Sequence, residues 1–122
     1  ENLRSAVVEV GLDFQVGLSG SKLSPPQRQK LSLARALLRS PDVLILNEAT
    51  SALDSGSQTR VISNIMTATK GKNLLWALQR VSLADAFDRV LVMSGGRVIE
   101  TGNFQELKGQ ANSTFNKLLR DE

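Results

Sequence analysis

The chain has 122 residues with no cysteine and no histidine, which excludes disulfides, thiolate or imidazole metal sites, a cysteine nucleophile and a Ser-His-Asp triad. Any catalytic proton transfer must therefore use Asp, Glu, Lys or an activated water. A net charge of +3, with 41% hydrophobic and 22% charged residues, suits a folded chain and is too mild to point to nucleic acid.

Taken in chain order, Leu3, Val7 and Val10 predict a short amphipathic helix within residues 1–14. Gly17 to Ser21 marks a loop. Ser24 is then a helix N-cap, Pro25 the first helical residue, and Gln27 the partner of a capping box. The helix runs from Gln27 to Arg39, with Leu31, Ala34 and Leu38 on one face and Leu33 and Leu37 widening it. Ser40-Pro41-Asp42 stops it.

Val43-Leu44-Ile45-Leu46 reads as a strand covered on both faces and ends in Asn47-Glu48. A turn over 51–57 leads to a helix over 58–69, with Val61, Ile62, Ile65 and Met66 inward and Gly71 after it. Asn73 to Leu78 reads as a second strand and Ser82 to Phe87 as a short helix. Val90 to Met93 is a third strand, Ser94-Gly95-Gly96-Arg97 a hairpin turn, and Arg97 to Glu100 a fourth strand. Asn103 with Glu106 forms a second capping box, and a last helix covers Ser113 to Arg120. The alternation predicts an α/β fold with a mostly parallel sheet. The longest apolar run, Leu74 to Leu78, is far below the roughly 20 residues of a membrane span, and no stretch reads as a signal peptide. Glu1 in place of Met suggests a processed or excised chain.

The run SKLSPPQRQKLSLARALLRSPDVLILNEATSALD, Ser21 to Asp54, resembles the signature motif, signature helix, Walker B strand and D-loop of the ATP-binding cassette (ABC) transporters. The tail GGRVIETGNFQEL is similar to the exporter branch. The resemblance implies the C-terminal half of a P-loop NTPase domain. Residues 1–40 would be part of the helical subdomain and residues 41–122 part of the ATPase core. It also implies ATP and Mg²⁺ in the full domain, a second nucleotide-binding domain as dimer partner, and transmembrane domains. The parent would sit on the cytoplasmic face of a membrane, and no nucleic acid is expected.

The resemblance assigns roles by position. Leu23, Ser24, Pro25, Pro26 and Gln27 stand at the signature that faces the γ-phosphate of an ATP on the partner domain. The family has two glycines where this chain has Pro25 and Pro26, and proline carries no N–H. Ser24 and the helix dipole remain as phosphate contacts. Glu48 stands at the catalytic base, and Asn47 replaces the aspartate that supports Mg²⁺. Ser51, Ala52, Leu53 and Asp54 match the D-loop, and Gln79 stands at the switch histidine. Each of these positions also has a plain structural reading, as a capped surface helix, a strand end or an exposed turn.

No G-x-x-x-x-G-K-[ST] pattern occurs, because Met66 and Asn73 flank the Gly71-Lys72 pair. Without a P-loop this chain alone should bind ATP weakly or not at all. In this fold the P-loop strand lies inside the sheet, so with unpaired strand edges this half-domain should self-associate, rearrange or be held by a missing partner segment. The resemblance points to an exporter-like ATPase with a degenerate site. A non-catalytic regulatory or scaffold module is the second reading, and a DNA-repair type of ABC ATPase is the third.

Overall fold

The computed structural model describes residues 11–122, so the helix expected around Leu3, Val7 and Val10 lies outside the described residues. Two compact units are present, one ending at Ala77 and the other formed by Leu78–Glu122.

In the first unit a single 3-10 turn, Leu18–Gly20, precedes helix α1, Pro25–Leu38. The Ser24 capping box forms as expected, with both prolines in the first turn, where a missing N–H breaks no intrahelical bond. Strand β1, Val43–Asn47, pairs in parallel with β2, Asn73–Ala77, through the intervening helix α2, Ser55–Ala68. This is a β-α-β unit, the arrangement that the alternating pattern predicts.

Helix α2 begins three residues earlier than expected. Asp54 is its N-cap, and its carboxylate accepts a hydrogen bond from Ser57 N at 2.9 Å, so residues 55–57 are helix rather than turn. Leu23, Leu33, Leu44, Leu46, Leu53, Ile62, Ile65 and Trp76 form the buried apolar set of this unit among the described residues.

β1 is not covered on both faces. Leu44 and Leu46 are buried, but Val43 is 56% and Ile45 68% exposed. Leu75, the register partner of Ile45, is 56% exposed as well. A four-residue apolar run cannot by itself report how many faces are packed, because alternate side chains point to opposite sides.

In the second unit the segment expected as a short helix is a 3-10 stretch, Val81–Ala86. β3, Val90–Ser94, and β4, Arg97–Gly102, form an antiparallel hairpin. Its turn has φ of 54° at Gly95 and 73° at Gly96, a left-handed pair that only glycine adopts without strain. The register slips between Val92 and Met93, which leaves Ile99 as the extra residue of a bulge in β4.

Helices α3, Phe104–Gly109, and α4, Thr114–Arg120, follow. Asn103 and Glu106 make the expected capping box, and Ser113 caps α4. Glu100 adds a second cap, accepting from Thr114 N at 2.6 Å and Phe115 N at 2.9 Å. The Phe115 bond is the main reason its carboxyl lies below the usual range. The core joins Ala84, Val92, Phe104, Leu107 and Phe115, with the two phenylalanine rings edge to face at 5.5 Å.

Candidate functional site

The first unit brings together most of the positions singled out from sequence. They occupy the start of α1, the end of β1 and the loop between β1 and α2. Gln79 lies in the second unit, exposed at a bend just after β2.

The backbone at the start of α1 has no donor left for a further acceptor. A helix leaves its first four backbone N–H groups without intrahelical partners, and these normally recommend it for phosphate. Here Ser24 N donates to Gln27 Oε1 at 2.8 Å. Pro25 and Pro26 have no N–H. Gln27 N donates to Ser24 Oγ at a long 3.4 Å. The flanking groups are engaged too: Lys22 N bonds Val16 O, Leu23 N bonds Gly20 O, and Arg28 N bonds Ser24 O, each at 3.0 Å. Arg28 Nη1 also turns back onto Leu23 O at 2.8 Å. Leu23 is buried at 6% exposure, so its side chain anchors the turn rather than facing a ligand. The helix dipole survives, but its donors are spent.

At the end of β1, Asn47 is exposed and is paired in register with Ala77. Glu48 is partly buried. Its N–H donates to Ala77 O at 3.0 Å, one step beyond the last strand pair. Its φ is 47°, a left-handed conformation that a residue with a Cβ rarely adopts. Such strain persists only where the surroundings hold it, and it is frequent at functional positions.

The loop that follows is pinned from both sides. Ser51 N donates to Glu48 O at 3.1 Å, and Leu53 N to Thr50 O at 3.0 Å. From α1, Gln29 Oε1 accepts from Ala52 N at 2.9 Å, while Nε2 donates to Ser51 Oγ at 2.9 Å and reaches Glu48 O at 3.5 Å. From α2, the buried Gln58 donates Nε2 to Thr50 O at 2.8 Å. Leu53 and Thr50 are buried, which seats the loop on the unit, while Ser51 stays exposed. Asp54 closes the loop as the α2 cap, and its bonds to Ser57 hold its carboxyl below the usual carboxylate range.

Sequence reasoning missed Gln29 and Gln58 as loop supports. A signal was available: each lies four residues ahead of a buried apolar residue, Leu33 and Ile62 respectively. That spacing puts a polar side chain on the inward face of its helix.

A magnesium ion is commonly held by one or two carboxylates completed by water and phosphate oxygens. Asn47 and Glu48 offer one neutral amide oxygen and one carboxylate at adjacent positions. No group of three or more His, Cys, Asp or Glu able to hold a metal occurs among the described residues. This donor set fits an ion carried mainly by phosphate and water, and does not fit one caged by protein.

In the second unit, the segment after Gln79 is tied to the last residue. Glu122 accepts from Ser82 N at 2.9 Å and Ser82 Oγ at 2.5 Å and pairs with Arg80 Nε at 3.2 Å. Among the described residues no helix is long and apolar enough to cross a membrane.

Comparison with known proteins places this architecture. Residues 2–51 match the family described as "ABC transporter". The chain is 46% identical over 114 residues to an ATP-dependent permease, MDL1, of Candida albicans, covering 90% of this chain and 17% of that protein. It is 44% identical over 100 residues to the ATP-dependent lipid A-core flippase of Burkholderia thailandensis, covering 82% of this chain and 17% of the flippase. A solved bacterial Atm1-family ABC exporter with ATP bound superposes with a TM-score of 0.86 at 25% identity, covering 98% of this chain and 23% of that one. The chain thus spans about one sixth of the length of these curated relatives. With ABC exporters among its relatives and in the solved structure it superposes on, the chain belongs to the ABC transporter family and is nucleotide-binding-domain sequence of the exporter type.

Proposed function

We propose that this chain works within a longer transporter polypeptide that couples ATP to export across a membrane, and that its own share of the ATP site is degenerate. Residues 1–40 would belong to the helical subdomain and residues 41–122 to the ATPase core. The domain would lie on the cytoplasmic face of the membrane, against transmembrane segments and a second nucleotide-binding domain. ATP and Mg²⁺ would be held mainly by parts of the domain outside this sequence. No nucleic acid partner is proposed.

The observation that carries the reading is the closed N-terminus of α1. The signature position Leu23-Ser24-Pro25-Pro26-Gln27 would face the partner's ATP, yet the structure leaves it no spare backbone donor. Ser24 Oγ already accepts from Gln27 N, though a hydroxyl can still donate its proton to a phosphate oxygen. Binding in trans would rest on that hydroxyl, the Gln27 amide nitrogen and the helix dipole, against several backbone N–H groups in an unsubstituted signature.

Glu48 would orient the attacking water and take its proton. Mg²⁺ supplies charge neutralisation at the phosphates when bound. Asn47 would support it as a neutral acceptor, without the attraction of an anion. Gln79, at the switch position, can donate one hydrogen bond to phosphate but cannot carry charge. Ser51, Ala52, Leu53 and Asp54 would reach across the dimer as D-loop. Four substitutions, Pro25, Pro26, Asn47 and Gln79, fall on three ATP-facing elements and would slow turnover rather than alter one step.

The closed helix end also favours a second reading, a non-catalytic regulatory or scaffold module that keeps the fold to bind a transporter partner. Turnover and transport by the full polypeptide in vesicles separate the two. Loss of both on Glu48→Gln supports the enzyme; unchanged transport supports the scaffold. ATP hydrolysis by the 122-residue chain alone would overturn the first reading. The exposed Val43, Ile45 and Leu75 face supports self-association of this chain in isolation.

A further inference from the structure

We infer that Gln29 is a positioning residue that locks the loop 48–52 to helix α1, so that the signature helix and the D-loop move as one body. The inference uses the D-loop reading proposed above only for its consequence; the lock itself stands on geometry.

The amide of Gln29 bonds this loop with both ends. Its oxygen accepts from the Ala52 backbone, and its nitrogen donates to the Ser51 hydroxyl and reaches the Glu48 carbonyl. A primary amide offers a donor and an acceptor on one rigid plane, which suits a loop presenting an N–H and two oxygens on one side. The contact spans 23 residues of sequence from Gln29 to Ala52, so it is tertiary and not a helix cap. It also terminates on Glu48, whose left-handed backbone needs outside support. Gln58 holds the same loop from α2 through Thr50 O at 2.8 Å. The loop is thus held from two helices, by Gln58 of α2 at Thr50 and by Gln29 of α1 at Ser51 and Ala52.

A shift of α1 would then be transmitted to Ser51 and Ala52 without passing through nucleotide. In a dimer of such domains, the signature helix and the D-loop of one domain would reach the partner together.

The test is hydrogen exchange read by mass spectrometry on the full polypeptide, comparing Gln29→Leu and Gln29→Glu with the parent. Leucine keeps the bulk and removes all three contacts. Glutamate still accepts from Ala52 N–H, and the Ser51 hydroxyl can turn to donate to it. We expect Gln29→Leu to speed exchange in peptides covering 48–54 by about tenfold, leaving peptides over 58–68 unchanged. Gln29→Glu should restore 48–54 to within about threefold. Unchanged exchange in Gln29→Leu, faster exchange that spreads through 58–68, or a glutamate variant no better than leucine would each overturn the lock. The readout needs no ATP turnover, so an inactive transporter would refute the proposed function and leave this result standing.

Discussion

Replacing Pro25 and Pro26 together by glycine should reopen the start of α1. The double substitution returns two backbone N–H groups at positions where no intrahelical acceptor exists, while Ser24 and Gln27 keep their capping box. A hydrogen bond to a charged partner is worth about 1.5–3 kcal/mol. Two restored donors therefore allow about 3 kcal/mol at the lower bound, roughly a hundredfold in affinity. Some of that is spent ordering the loosened turn, so a gain of about tenfold to a hundredfold is expected. Stability moves the other way. Each proline removed returns entropy to the unfolded chain, costing about 0.4–1 kcal/mol, or about 1–2 kcal/mol for the pair. The assay is ATP-driven dimerisation of the full polypeptide in a Glu48→Gln background, so that bound ATP is not consumed, with urea unfolding alongside. Tighter ATP-dependent association with lower unfolding free energy is the expected signature. Loss of stability with no change in association would refute the claim that the closed helix end limits phosphate contact.

Three further outcomes follow from the same geometry. Gln58→Leu strips the buried bond to Thr50 O, which Leu53 N still serves, so urea unfolding should show a loss of about 1–2 kcal/mol. Ile45→Lys with Leu75→Lys places two like charges on one exposed face of adjacent strands. Sedimentation equilibrium of the 122-residue chain should show at least about tenfold weaker self-association, with circular dichroism unchanged; equal association would place the contact elsewhere. Acid should weaken the chain through Asp54 and Glu100, whose folded carboxyls lie below their ordinary values because of bonds to Ser57 and to Phe115 respectively. Their stabilisation is complete above the unfolded range of about 3.9–4.3 and is lost as pH falls through the lower folded values. Asp54→Asn keeps a capping oxygen that does not titrate, so its stability should decline less than the parent's below about pH 4, and an identical acid profile would count against the cap.

Much of the local architecture was legible because its causes lie within three residues. Ser24 with Gln27, Asn103 with Glu106, and the Gly95-Gly96 turn each satisfy their own backbone, and each formed where expected. The start of α2 was misplaced although its signal was present. Asp54 three residues before Ser57 is a cap, but a cluster of serines and a glycine also reads as turn, and only the formed bond decides between them. The contribution of Glu100 to α4 could not be read at all, since a strand residue there caps a helix 14 residues on.

By itself the sequence determined the motif order from Ser21 to Asp54, the prolines where a helix would otherwise offer donors, and Gln79 at a position where the family resemblance expects histidine. These depend on covalent order and on what each residue type can donate, so no structure was needed to read them. Tertiary structure decided that every backbone donor around Ser24 is already spent, that one face of β1 is bare, and that Gln29 and Gln58 hold the loop between them. Those outcomes depend on which groups the folded backbone brings within about 3 Å of each other, a distance that spacing along the chain does not encode.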